Sequence, residues 1–168
     1  MVQSILQDKD GYMWFASKDG LNRYDGYRMT VFRNKPGMPY SLPDNYVTCM
    51  LEDEKGNFFV GTSTKGICLF DKRSEKFYPI TAVTNAFQKN EDVYSIVISN
   101  GKLLVTTNIN AYAFDISRLK PGIFTGENLG NIKLQYNYNA RQPLSSRKFQ
   151  IGKGISQQWL KECSLWIF

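Results

Sequence analysis

The sequence predicts an all-β fold, a β-propeller fragment of about three four-stranded blades plus part of a fourth. A repeat of about 45 residues, a filling of short strand-like runs, and glycine-marked turns at the same places in each copy predict it.

The repeat is read by laying residues 8–25, DKDGYMWFASKDGLNRYD, over residues 53–71, DEKGNFFVGTSTKGICLFD. Val2 matches Val47, Asp8 matches Asp53, Gly11 matches Gly56 and Trp14 matches Phe59. Gly20, Asp25 and Phe32 match Gly66, Asp71 and Phe77, all at offsets of 45 or 46. A weaker third copy keeps Val93, Gly101, Leu104 and Asp115 in register, with Ala111 in place of the glycine of the second turn.

The fill is strand. VQSILQD, YMWFAS, LNRYDGY and MTVFR are short runs rich in β-branched and aromatic residues, and no helical apolar period persists through them. Four strands per period make a blade. The expected blades are about residues 2–33, 46–80 and 92–136, with an incomplete fourth at about 148–168 that begins near Phe149. In that last blade LWIF, residues 165–168, resembles a second strand arriving later than the spacing requires. Proline-rich connections punctuate the blades, with RNKPGMPYSLPDNYV at 33–47 echoed by YNYNARQPLSSRKF at 136–149.

Turn chemistry sets the period. Asp8 and Asp53 can each accept a hydrogen bond from the backbone two residues on, while Gly11 and Gly56 supply positive φ for a tight hairpin. Trp14 and Phe59 fall in second strands, where a flat ring fills the gap between neighbouring blades, a role worth about 2–3 kcal/mol of burial.

Composition narrows the function. The chain is 42% hydrophobic, enough for a core, and no apolar run reaches the roughly 18 residues of a membrane-spanning helix. The opening MVQSILQD lacks the parts of an export leader and enters a strand at once, as expected of a chain cut at its front. Residues 1–116 hold 13 Lys and Arg against 13 Asp and Glu, so the net +6 arises in residues 117–168, with 8 against 2. These basic residues are spread singly and accompany no nucleic-acid motif, so no nucleic-acid contact is expected of this region. The three cysteines suit neither a disulfide framework nor a zinc site. Cys49 and Cys68 fall on strands one apart, about 10 Å from each other, which is too far for a bond.

Catalytic and metal chemistry find no support. The absence of histidine removes the common triads and histidine metal ligands. DKDGYMWF fails as a calcium loop because its glycine comes fourth, and as a sialidase aspartate box because Lys9 stands where an aspartate belongs. No catalytic residue, metal or cofactor is therefore expected. A propeller glycosidase or polysaccharide lyase acting on acidic glycans remains the alternative, since any two carboxylates could converge.

The string SILQDKDGYMWFASKDGLNRYDGYRMTVFR, with SLPDN and GTSTKGICLFD after it, closely resembles the two-component regulator propeller repeat. Its elements are D-x-x-G, W-[FI]-[GA]-[ST], G-L-x-x-[YF]-D and S-L-x-x-N, strongest over residues 2–80. The resemblance implies the sensor region of Bacteroides-type hybrid histidine kinases, periplasmic, recognising oligosaccharides and switching on genes for glycan use. It also implies a membrane helix, kinase, receiver and DNA-binding domain elsewhere in such proteins. An open propeller leaves an apolar face at each end, so the remaining blades of the sensor or a second copy are the expected partners.

In propellers, ligands meet the loops joining second to third strands and last strands to the next blade. Those loops carry Lys18, Asp19, Tyr40, Lys65, Asn108 and Asn110, which supply the aromatic face, planar amides and charges that grip sugars. Ordinary solvated loop residues are the bland alternative for each.

Overall fold

The computed structural model describes residues 1–80, 87 and 91–139, and in them the chain forms three four-stranded antiparallel sheets. The first holds β1 (Val2–Gln7), β2 (Met13–Ser17), β3 (Gly20–Tyr24) and β4 (Met29–Phe32), in that order. The second holds β5 (Val47–Glu52), β6 (Phe58–Thr62), β7 (Ile67–Asp71) and β8 (Lys76–Pro79). The third holds β9 (Val93–Ser99), β10 (Lys102–Thr107), β11 (Asn110–Asp115) and β12 (Lys133–Asn139). A short helix, α1 (Gly126–Leu129), lies in the connection to β12. The expected fourth blade, Cys163 and the basic residues from Arg141 onward lie outside the described residues. No described helix is long and apolar enough to cross a membrane.

Each sheet is placed by its first strand, with β1 packed on β5 and β5 on β9, the arrangement of blades about a propeller axis. That strand begins in all three copies with the same irregularity. Val2 pairs Ser17 and Ser4 pairs Ala16, and the slip recurs at Val47/Cys49 and opposite Thr106/Thr107. One extra residue per inner strand bends it and raises its twist.

The middle sheet shows why the pattern recurs. Every residue of β6 is buried, because its alternate side chains serve two different cores. Phe58 and Val60 join Trp14, Leu21 and Phe32 on one side, while Phe59 joins Ile96, Leu103 and Phe114 on the other. Trp14 is fully buried between the first two sheets, with ring centroids 4.9 Å from Phe58 and 5.5 Å from Phe70. Gly61 is required by this closeness. A Cβ there would stand 2.6 Å from Cys49 Sγ and 2.9 Å from Val93 Cγ1.

Two details of the repeat differ from the sequence alignment. Phe77 pairs with Phe70 as Met29 pairs with Tyr24, so Phe77 corresponds to Met29 and Phe32 to Ile80. The cause is a longer turn. Asp25 and Arg28 enclose two residues, while the Asp71–Lys76 pair encloses four. Phe32 and Phe77 therefore meet across the interface, 6.0 Å apart. Likewise Asn110, and not Ala111, takes the place of Gly20 and Gly66, since Thr107 Oγ1 donates to its carbonyl as Ser17 and Thr62 do to the glycines.

Cys49 and Cys68 are free thiols on opposite sides of the second sheet, Cys68 in the core shared with the first and Cys49 against the core shared with the third. Burial pushes the Cys49 thiol up to about 11 and that of Cys68 higher still.

Candidate functional site: the loop end and the opposite clefts

At one end of the sheets the β2–β3, β6–β7 and β10–β11 turns meet the connections between blades. Hydrogen bonds tie the first two of these turns to the start of the next sheet. Gly20 N donates to the Asn45 carbonyl at 2.8 Å, and Ser63 Oγ donates to Asp92 Oδ1 at 2.5 Å. Asp44 Oδ2 accepts from both the amide and the hydroxyl of Thr64. The SLPDN segment is structural here: Leu42 is fully buried and Asn45 Oδ1 accepts from Asn34 N at 2.7 Å.

The six residues expected to touch a ligand separate into three environments. Lys18, Asp19 and Lys65 are exposed on the turns, and Asn108 is half-buried beside them. Lys18 Nζ lies 5.2 Å from the centre of the Tyr46 ring, a cation–π contact between first and second blades. Asp19 is held by Arg33, whose Nη2 lies 2.5 Å from Oδ2. Asn108 is paired reciprocally with Asp92, accepting from its amide through Oδ1 and donating its own amide to the Asp92 carbonyl, both at 3.1 Å.

Tyr40 sits apart, with φ of 64°, its ring 5.2 Å from Tyr78 on the outer strand β8. Asn110 is buried inside the third blade. Its Nδ2 lies 3.0 Å from Glu91 Oε1 and 2.9 Å from the Tyr112 hydroxyl, which donates to Glu91 Oε2 at 2.7 Å. Burial and the neighbouring Glu91 carboxylate push the Tyr112 phenol well above its ordinary range. The structure thus gathers Lys18, Asp19, Lys65 and Asn108 on the loop end, and gives Tyr40 and Asn110 other surroundings.

Two clefts open at the opposite end. The first, about 490 Å³, is lined by Tyr12, Arg23, Lys72, Arg73 and Phe124 among others. The second, about 560 Å³, runs between Leu51–Lys55 and Ile96–Ile98. Lys72 closes one wall of the first cleft, with Nζ 3.2 Å from Asp8, 2.5 Å from Asp10 and 2.8 Å from Glu52. Burial disfavours its ammonium, but the hydrogen bonds it donates to Asp10, Glu52 and Asp8 outweigh that and hold it well above the lysine range. Arg23 lies over Tyr12, Trp14 and Phe32 at 5.2–5.6 Å and is anchored by Glu75 at 2.9 Å.

These cleft residues carry one signal in the sequence. Arg23 occupies the position of Leu69 in the second copy, and Lys72 lies in the lengthened turn. A departure from an internal repeat marks where the scaffold is put to local use. Among the described residues, no group of Cys, Asp and Glu is arranged to hold a metal ion.

Residues 1–19 and 41–64 match the sequence profile described as two component regulator propeller. Histidine kinase P4 of Formosa agariphila is 46% identical over 35 residues, which cover 21% of this chain and 3% of that protein. The extracellular domain of a one component system from B. thetaiotaomicron shares the fold, with a TM-score of 0.59 at 20% identity, covering 82% of this chain and 19% of that one. The extracellular domain of a hybrid two component system from the same organism gives a TM-score of 0.48 at 22% identity, over 68% of this chain and 23% of that one. The chain spans a small part of each. Two segments of it match the two component regulator propeller repeat, in a chain built as three four-stranded blades of a β-propeller.

Proposed function

We propose that the chain is the N-terminal part of the periplasmic ligand-sensing domain of a hybrid two-component sensor histidine kinase. In this reading it has no catalytic role of its own and needs no cofactor. It contributes blades to a propeller that binds an oligosaccharide and signals across the membrane to regulate glycan-utilisation genes. The observation that carries the reading is the match of residues 1–19 and 41–64 to the regulator propeller profile, on strands that pack as successive blades.

The ligand contacts proposed on the loop end are Lys18, Asp19, Lys65 and Asn108, exposed or half-buried on the turns of three successive blades. A sugar bridging such turns would gain hydrogen bonds from several blades at once, so its binding would oppose their relative movement. Tyr40 and Asn110 serve this reading as supports, Tyr40 by covering the outer strand and Asn110 by fixing the third turn.

Calorimetry of the sensor region against a panel of neutral and acidic oligosaccharides, with product analysis of the same samples, tests it. Saturable heat with intact sugar is expected. Turnover of the sugar would replace the sensor with a glycosidase or lyase, and no heat with any glycan would remove the oligosaccharide.

A further inference from the structure

We propose that the first cleft at the end opposite the loops binds a uronic acid, a sugar ring bearing a carboxylate, between the guanidiniums of Arg23 and Arg73 and the aromatic side chains of Tyr12 and Phe124. The site shares no residue with the loop-end contacts proposed above, so either can fail alone.

An insertion builds it. The turn between third and fourth strands is short in the first two blades, closed by the pairs Tyr24–Met29 and Asp71–Lys76. In the third blade the corresponding pair, Asp115–Lys133, encloses residues 116–132. That segment carries its own anchors. Leu119, Leu129 and Ile132 are buried in the core shared with the second sheet, and the buried Asn128 binds the backbone of Lys120 and Ile123 through its amide. The segment reaches back over the second blade, where the Phe124 ring stacks on Tyr78 with centroids 4.8 Å apart. Phe124 thereby becomes one wall of a cleft that Tyr12 and Arg23 of the first blade also line. A long ordered loop that completes a cleft from a neighbouring blade is a common place for function.

Two guanidiniums supply the anion contact. Arg73 lines the cleft from the exposed turn after β7, and among the described residues its guanidinium has no partner. Arg23 gives one N–H to Glu75 and lies over Tyr12 and two further rings, which fixes its place, while its remaining donors have no acceptor among the described residues. A guanidinium matches a carboxylate in shape as well as in charge. Asp10 and Asp71 also line the cleft, the first engaged by Lys72 and the second by the Arg73 amide and the Ser74 hydroxyl. Each keeps acceptor sites that suit hydroxyl groups and disfavour a purely apolar acid. Aromatic walls, acceptors for hydroxyls and two arginines together describe an acidic sugar, and about 490 Å³ lies within the roughly 300–1,000 Å³ of small-molecule sites.

Calorimetry of the full chain with D-glucuronate, D-glucose and benzoate tests the site. Saturable binding of glucuronate is expected, with glucose and benzoate each weaker by roughly tenfold or more, since one lacks the carboxylate and the other the hydroxyls. Arg73→Gln, at an exposed turn position and expected to leave the Tm unchanged, should weaken glucuronate by a similar factor. Phe124→Ala should do the same, and Lys18→Ala on the loop end should not. Glucuronate bound no better than glucose, or equally well by Arg73→Gln, would overturn the site. Weakening by Lys18→Ala and not by Arg73→Gln would move the acid to the loop end, overturning this inference and leaving the loop-end reading in place. Benzoate bound as tightly as glucuronate would overturn the sugar as occupant.

Discussion

The Trp14 indole donates its Nε1–H to Asp8 Oδ2 at 2.8 Å, joining the residue that closes the first turn to the ring that fills the first interface. The other carboxylate oxygen accepts the amides of Asp10 and Tyr12. In the second copy Phe59 has no N–H to offer, and Asn57 supplies the missing donor, its Nδ2 lying 2.7 Å from Asp53 Oδ2. One turn device is thus satisfied in two ways, and only the first is bound into the core.

That difference makes Asp8 the more costly aspartate to lose. Asp8→Ala removes the acceptor of two turn amides and a buried indole, and leaves Lys72 with one carboxylate fewer. A loss of about 3 kcal/mol is expected, against about 1–2 for Asp53→Ala, whose partners are all local. Urea denaturation of both variants checks the ranking. A double-mutant cycle with Trp14→Phe should show coupling above about 0.5 kcal/mol for the Asp8–Trp14 pair.

Gly61 gives a prediction from crowding. A methyl group at this position would overlap Cys49 Sγ and Val93 Cγ1, which come from different sheets. Gly61→Ala should cost about 1–3 kcal/mol. Cys49→Ala should recover part of that loss, and Ala16, the fully buried residue in the same place of the first blade, shows that this position of a second strand can carry a methyl. Equal stabilities of Gly61→Ala in the presence and absence of the Cys49 sulfur would contradict the account.

Legibility in the sequence followed the range of the forces involved. The turns were readable because Asp8, Gly11 and Gly20 act on backbone within a few residues, and Gly11 and Gly20 do adopt positive φ. The register of the fourth strands was not, because it depends on the length of the β7–β8 turn, which no single residue announces. Asn110 read as a loop amide because its partner Glu91 lies 19 residues away and becomes a neighbour only when β11 is in place. Arg23 and Lys72 are ordinary surface residues in a linear reading, and acquire their roles from aromatic and acidic groups on other strands.

Acid should loosen the third-to-fourth-strand turns first. The amides of Arg28 and Tyr27 hold the Asp25 carboxyl below the usual range, and the hydroxyl and amide of Ser117 do the same for Asp115. A depressed native value contributes stability that is present above the unfolded value of 3.8 and is lost as pH falls through the native one. Asp25→Asn and Asp115→Asn should therefore show a shallower loss of stability below roughly pH 4 than the parent chain, measured by urea midpoints across that window. Unchanged slopes would assign the acid sensitivity to other carboxylates.

Lys72 sets the alkaline limit in the same way with the opposite sign. Its native value is raised, so its contribution is complete below the unfolded value of 10.5 and is lost as pH climbs through the native one. The contribution is sizeable because the Asp8 and Glu52 side chains it neutralises are 0% and 5% exposed. Lys72→Met leaves them facing one another without a cation, at an expected cost on the order of 3 kcal/mol at neutral pH. Lys72→Arg should restore most of it by keeping the charge. The gap between parent and Lys72→Met should narrow once pH passes 10.5, because the unfolded parent then releases the Lys72 proton while the folded parent still holds it. A gap of constant size from neutral to strongly alkaline pH would mean that Lys72 acts through its methylene chain and not through its ammonium.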